Sequence, residues 1–268
     1  MPIKVYIVSL ARATERRKFM EKQLEKLNLD YQFIEAHDAR NITNSELQEV
    51  NNNRIYEQDL SRGEVACAIS HSKACKTLAN DQVYDYGLII EDDIILGSNL
   101  PLILNELQMK GEPEDITLLY TCIFKPVVFS KHQDLALSYG LVTVSNTNRI
   151  YGAQAYFISK EKAASFADKI TPVKTIADDW AHYTSSGYFT GLKVVYPFPV
   201  IHAEFLSVVN EKQDKSSNIR GWVKDFIYHH RVYPLYQLFL KARQIRAEKI
   251  QRKNISAPDF LCEKTYKL

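Results

Sequence analysis

The sequence predicts an α/β fold built on a central, mostly parallel sheet. Strand-length apolar runs recur along the chain, and stretches with helical spacing of apolar residues separate them. Several of the runs are continuously apolar, as strands covered on both faces are. At 268 residues, 46% of them hydrophobic and 25% charged, the chain is long enough to bury a full α/β core.

Val5 to Leu10 reads as the first strand, and a turn over Ser9 to Ala13 leads to a helix capped by Thr14, with Phe19, Met20, Leu24 and Leu27 on its apolar face. Tyr31 to Glu35 is a second strand ending in the polar cluster His37-Asp38-Ala39-Arg40, the way a nucleotide-binding βαβ unit begins. After an Asn-rich loop at Asn51, Asn52 and Asn53, Ser61 caps a helix through Ala68, His71, Cys75 and Leu78, with Glu64 at capping-box spacing. Leu88-Ile89-Ile90 and Ile94-Ile95-Leu96 flank three consecutive acids. Further strands are expected near Ile116 to Tyr120, Ala155 to Ile158 and Leu192 to Tyr196. Helices are expected over Lys160 to Ala167 and from Asp178-Asp179-Trp180.

A formal net charge of +2 conceals an asymmetry: from Ile219 onward eleven Lys and Arg stand against four Asp and Glu. The reading is a main domain over 1–218 and a basic C-terminal region over 219–268. From Pro234, Leu235, Leu238, Phe239, Ala242 and Ile245 keep helical spacing with basic residues around them. A basic amphipathic helix of this kind suits an anionic membrane surface. No nucleic-acid-binding module accompanies it, so no nucleic acid is expected as a partner. The N-terminus lacks a signal-peptide pattern, and no stretch approaches the roughly 18 to 20 apolar residues of a bilayer span. A cytoplasmic protein is the expectation. Cys67, Cys75, Cys122 and Cys262 form no CxxC pair and show no metal-ligand spacing, and they are expected as reduced thiols without a function.

The chemistry-bearing feature is Glu91-Asp92-Asp93 at the end of an apolar strand. Side chains alternate along extended chain, so Glu91 and Asp93 project together and Asp92 points the other way. Two converging carboxylates repel unless a cation or strong donors sit between them. Just beyond the carboxyl end of a strand, that pair suits Mn²⁺ or Mg²⁺ holding a nucleoside diphosphate; the alternative is acids that only cap a turn. His202, after Val200 and Ile201, is the candidate third ligand, since imidazole suits Mn²⁺ better than Mg²⁺. Arg12 and Arg16 open the first helix, where free N–H groups and the helix dipole already favour anions, and are candidates to grip a diphosphate. Arg17 reads as a solvated basic residue. Asp38 and Asp92 are further candidate nucleotide contacts, and His71 is either a phosphate hydrogen-bond partner or a core histidine.

These residues resemble glycosyltransferase family 25. The matching segments are VYIVSLARATERR at 5–17, FIEAHDAR at 33–40, LSRGEVACAISHSKA at 60–74, LIIEDDIIL at 88–96, YGAQAYFISKEKA at 151–163 and ADDW at 177–180. The resemblance implies a GT-A-type fold, a UDP-sugar donor used with Mn²⁺ or Mg²⁺, and inversion to a β linkage. Galactose is the implied sugar, and a glycolipid, the lipooligosaccharide core, the implied acceptor. It puts the family's acidic cluster on Glu91, Asp92 and Asp93, and sets Ser9, Leu10, Arg12 and Arg16 beside the nucleotide. An inverting transfer needs a base. The family's aspartate falls on Asp178-Asp179, with Asp179 preferred because the Trp180 ring beside it would seat a sugar face. The sequence departs from the family at Gly152-Ala153-Gln154-Ala155-Tyr156, where many members carry a Gly-Thr-x-Gly-Tyr type turn. Such an enzyme would work on the cytoplasmic face of the inner membrane, with the basic tail as a peripheral anchor. The rival readings are metal-dependent nucleotidyl or phosphoryl transfer and a non-catalytic sugar-nucleotide binding module.

Overall fold

The computed structural model describes residues 3–110, 116–203, 249 and 253–256. The boundary expected at 218 and the helix expected from Pro234 to Ile245 lie outside the described residues. In chain order the elements are β1 (Ile3–Ser9), α1 (Thr14–Lys26), β2 (Asp30–Glu35), α2 (Asn44–Asn52), α3 (Arg62–Asn80), β3 (Tyr86–Glu91), β4 (Ile94–Leu96), α4 (Leu100–Lys110) and β5 (Ile116–Leu118). There follow β6 (Val127–Asp134), β7 (Gly140–Val144), β8 (Ala155–Ser159), α5 (Lys160–Ile170), α6 (Trp180–Ser185), β9 (Leu192–Tyr196), β10 (Val200–His202) and β11 (Ile255–Ser256).

Nine strands form one sheet in the order β11-β6-β7-β9-β5-β8-β3-β1-β2. The pairings make β7 and β8 the two strands that oppose the common direction of the others, so the central sheet is mixed but mostly parallel. Helices cover both faces. Along β1, Val5 and Ile7 pack on one side with Met20 and Leu24 of α1 and Leu104 of α4. Tyr6 and Val8 pack on the other with Leu78 of α3 and Phe166 of α5. β3 divides in the same way, Leu88 and Ile90 against Ile89. This two-sided burial explains why these strands read as continuous apolar runs. Among the described residues, no helix is long and apolar enough to cross a membrane.

Local chemistry sets most boundaries as expected, with corrections. Ser61 and Glu64 form the capping box that starts α3. α1, by contrast, begins at Thr14 itself, with Ala13 in the cap position and no side-chain cap bond. The stretch expected as an Asn-rich loop is helical over Asn44–Asn52, because Thr43 and Glu46 supply a second capping box that starts α2. The chain bends at Asp92 and Asp93, so Ile94–Leu96 leaves the main sheet and pairs antiparallel with β10. α4 and the β6–β7 pair were not anticipated from the apolar pattern.

Gly87 shows how tightly the layer is packed: a Cβ there falls 2.7 Å from Leu78 Cδ2 and 2.9 Å from the Tyr6 ring. Gly87→Ala is therefore expected to cost about 1–3 kcal/mol by overpacking, read as a lower urea midpoint with an unchanged denaturant slope. An unchanged midpoint would show that α3 is free to move off the sheet.

Candidate active site

The site is assembled by strand register. β1 and β3 are parallel neighbours with Val8 opposite Glu91, so the next residues out, Ser9 and Asp92, meet at the carboxyl edge of the sheet. Ser9 Oγ donates to Asp92 Oδ2 at 2.6 Å, and both residues are buried. α1 returns antiparallel from that edge and brings Arg16, whose Nη1 donates to Asp92 Oδ1 at 2.9 Å and lies 3.5 Å from Asp93 Oδ2. Asp92 is thus turned inward and held by a hydroxyl and a guanidinium. Arg17 is not a solvated residue: its Nη2 donates to Ser9 O at 2.8 Å and to Glu35 Oε2 at 2.7 Å, and its guanidinium lies over the Phe33 ring. Proximity to Glu35 and Phe33 on β2, invisible in the local sequence, decides this. Leu10 opens the turn after β1, its carbonyl accepting from Ala13 N at 2.9 Å. Arg12 pairs with Asp38, which Arg40 also binds at 2.7 Å. The Arg40 hydrogen bonds hold the Asp38 carboxyl down at about 2.

The outer acids have a different environment. Asp93 Oδ2 lies 3.5 Å from His202 Nε2, and the Ala203 N–H donates to the Asp93 carbonyl at 2.6 Å. The β10–β4 pairing, with His202 opposite Ile94, delivers that histidine. Among the described residues, Asp93 Oδ1 is buried without a hydrogen-bond partner. Glu91 accepts at 3.4 Å from the His71 ring, whose other nitrogen is 3.1 Å from the Tyr156 hydroxyl. His71 is 1% exposed and so sits behind Glu91 as a buried support. Burial raises the Glu91 carboxyl above its ordinary value of 4.5; the His71 bond opposes this and the charges of Asp93 and Asp178 add to it.

Asp178 reaches the same place from the other side of the sheet. Because β8 runs antiparallel to β3, Glu91 N donates to Gln154 O at 3.0 Å and the loop before β8 folds over the acids. Gly152, with φ +97°, donates its N–H to Asp178 Oδ2 at 2.6 Å. A Cβ at Gly152 would meet Gln154 Oε1 at 2.1 Å, so both backbone and packing demand glycine. Burial raises Asp178 above its ordinary 3.8, with the Gly152 N–H opposing. Asp179 instead caps α6, accepting from His182 N at 3.2 Å and from Thr175 Oγ1 at 2.5 Å. Trp180 is not a sugar platform: it is fully buried, gives its Nε1–H to Gly152 O at 3.1 Å, and packs on Tyr156, Phe166 and Tyr183. A cleft of about 330 Å³ opens beside Asp178 and Asp179, with Tyr56, Asn148 and Tyr151 among its walls. Tyr56 and Tyr151 were missed from the sequence. Cys67 was missed too, though its spacing of four from His71 on α3 was a readable signal.

The family model described as Glycosyltransferase family 25 (LPS biosynthesis protein) matches residues 2–181, a span that includes every candidate residue except His202. Lipooligosaccharide biosynthesis protein lex-1 of Haemophilus influenzae is 31% identical over 126 residues, 37% of this chain and 40% of lex-1. Lipooligosaccharide biosynthesis protein lic2B of Haemophilus influenzae is 29% identical over 160 residues, 58% of this chain and 59% of lic2B. The lacto-N-neotetraose biosynthesis glycosyltransferase LgtE of Neisseria meningitidis is 27% identical over 217 residues, 75% of this chain and 76% of LgtE. The chain thus spans about half the length of the first two relatives.

The inward and outward acids are expected to respond unequally to removal. Asp92→Ala removes the shared acceptor of Ser9 and Arg16 and should cost about 3 kcal/mol, the low end for one side of a buried pair. Asp93→Ala, in metal-free protein, should change stability by less than about 1 kcal/mol because its ionic contacts are long and partly solvated. Urea unfolding in EDTA measures both, and equal losses would contradict the assignment. A carboxyl whose folded pKa is raised binds more protons folded than unfolded, so stability falls as pH rises from 3.8 and 4.5 through the raised values of Asp178 and Glu91. Thermal midpoints of metal-free protein should fall over that rise, and less steeply in Glu91→Gln. Equal slopes would remove the coupling.

Proposed function

This chain belongs to glycosyltransferase family 25, and from that premise we propose that it moves a hexose, galactose, from a UDP-sugar to a sugar of lipooligosaccharide or lipopolysaccharide. The transfer inverts the anomeric carbon and forms a β linkage, on a GT-A-type arrangement of the sheet. The observation that carries this reading is the convergence of Glu91 and Asp93 with Asp178, which a distant segment brings beside them, where an open α/β sheet binds its ligands. The names of the relatives in lipooligosaccharide biosynthesis support the acceptor class.

The donor set fits a hard divalent cation. Asp93 offers a buried oxygen with no partner among the described residues, Glu91 is burdened by the charge of its neighbours, and His202 adds an imidazole beside Asp93. Glu91, Asp93 and His202 are the residues that hold Mn²⁺ or Mg²⁺ in this reading, and the cation supplies charge stabilisation to the departing diphosphate. Ser9, Leu10, Arg12 and Asp38 border the nucleotide at the ends of β1 and β2. Arg16, kept in place by Asp92, adds positive charge on the same side.

For the base, the geometry favours Asp178 over Asp179. Both Asp179 oxygens are taken up by the helix cap and by Thr175. Asp178 has a raised proton affinity from burial and borders the cleft, which suits a group that must accept a proton from an acceptor hydroxyl. Tyr56 and Tyr151 stand in the cleft where Trp180 had been expected to seat a sugar. The basic region over 219–268 is proposed as a peripheral contact with an anionic membrane on the cytoplasmic side, on the strength of its sequence alone.

Incubation with a panel of UDP-sugars and truncated lipooligosaccharide acceptors, with and without Mn²⁺, is expected to release UDP with UDP-galactose. Asp178→Asn should lower kcat by roughly 10²–10⁴ with little change in KM, and Asp179→Asn should act mainly through lower stability. Absence of UDP release across the panel would defeat the transfer reading. Full turnover in EDTA would defeat the metal.

A further inference from the structure

Beside the carboxylates stand two donors that the transfer reading does not use. Cys67 and His71 lie four residues apart on α3, one turn from each other on the same face. One ligand atom from each of Cys67, His71 and Glu91 lies within 4.8 Å of the other two. The imidazole is held at both nitrogens. Its Nδ1 is 3.1 Å from the Tyr156 hydroxyl, which in turn is 3.6 Å from Cys75 Sγ, and Tyr156 and Cys75 are both buried. In the metal-free chain Nε2–H donates to Glu91; metal at Nε2 takes the place of that proton, and the ring proton then sits on Nδ1, given to Tyr156, whose hydroxyl turns to Cys75. That is how a second hydrogen bond prepares a histidine for a metal. Burial pushes the Cys67 thiol well above its ordinary range, and the charges of Glu91, Asp178, Asp93 and Glu64 add to this, so the thiol is protonated in the metal-free chain while the spot carries a field that attracts cations.

We propose that Cys67, His71 and Glu91 form a binding site for a thiophilic divalent cation, Zn²⁺ above all, separate in its sulfur and nitrogen donors from the Glu91, Asp93 and His202 set. One sulfur, one nitrogen and one oxygen are the donor types of a three-ligand zinc site with an open fourth position. Zinc bond lengths of about 2.0–2.3 Å place donors roughly 3.5 Å apart, a contraction that side-chain rotation of Cys67 and Glu91 supplies. On binding, the Sγ–H bond breaks, the proton leaves to solvent and sulfur donates its electron pair to the metal. Thiolate, carboxylate and neutral imidazole then balance the two positive charges of Zn²⁺. Mg²⁺ and Mn²⁺ prefer oxygen, and sulfur selects the softer ion, so the two donor sets choose different metals. Glu91 belongs to both. Zn²⁺ at Cys67 therefore opposes the hard cation at Asp93.

The test is a titration of metal-stripped, full-length protein with Co²⁺. The expected result is a thiolate-to-cobalt charge-transfer band in the near ultraviolet that saturates at one ion per chain and is displaced by equimolar Zn²⁺. The band should be lost in Cys67→Ser and Cys67→Ala, and kept in Asp93→Asn and Cys122→Ser, with folding of each variant checked by circular dichroism. No band in the wild type, or an undiminished band in a folded Cys67 variant, overturns the proposal. Should the Cys67 variants not fold, alkylation of Cys67 in the wild-type chain, read by mass spectrometry, decides instead: Zn²⁺ must slow it, and an unchanged rate overturns the site. Both readouts are independent of UDP release, so failure of this site and failure of the transferase reading are told apart.

Discussion

The parallel register of β1 and β3, closed by the contact of Ser9 and Arg16 with Asp92, is the constraint on which the edge of this sheet depends. Three successive acids aimed at one point would repel each other strongly. Turning the middle one inward onto a hydroxyl and a guanidinium removes one charge from the cluster and anchors the bend that follows. The bend then frees Glu91 and Asp93 to face outward and sends β4 away to meet β10, which carries His202. The same buried pair ties α1 to β3, so the helix that supplies Arg16 cannot shift without disturbing the acids.

The remaining carboxylate arrives by a different route. β8, antiparallel between β3 and β5, brings its leading loop back over the carboxyl edge rather than away from it. Asp178 is then located by a backbone N–H, and the segment that bears it is pinned by Trp180 within an aromatic cluster that includes Phe166, Tyr183 and Phe189. Acids from two distant segments therefore rest on one packed core. Mutual repulsion among them is tolerated because the core over-determines where each backbone runs.

The fold was legible wherever burial leaves a periodic trace. β9 appears over Leu192–Tyr196 as expected, and the Ser61–Glu64 box opens α3 as its spacing implied. Legibility failed where the deciding partner is remote in sequence. Arg17 looked solvated because nothing local reveals Glu35 and Ser9 as its partners, and Trp180 looked available because nothing local reveals Phe166 packed on it. The Asn-rich stretch misled for another reason: asparagine lowers helix propensity, but the Thr43–Glu46 box supplied the start that composition obscured. At the candidate site, alternation along the strand set Asp92 apart from its neighbours; Asp92 does bond Ser9 and Arg16, but the chain bends there and Arg16 also reaches Asp93. Alternation could not say that Asp178 lies near these acids, since only the return of β8 makes that so.

Gly152 carries one more consequence. Its amide holds Asp178, its carbonyl holds Trp180, and its conformation excludes any side chain. The wall of the cleft is thus fastened through main-chain atoms, which every sequence possesses, while Tyr56, Asn148 and Tyr151 contribute only replaceable side chains. A change at any of those three side chains reshapes the cleft and leaves the fastening of Asp178 untouched.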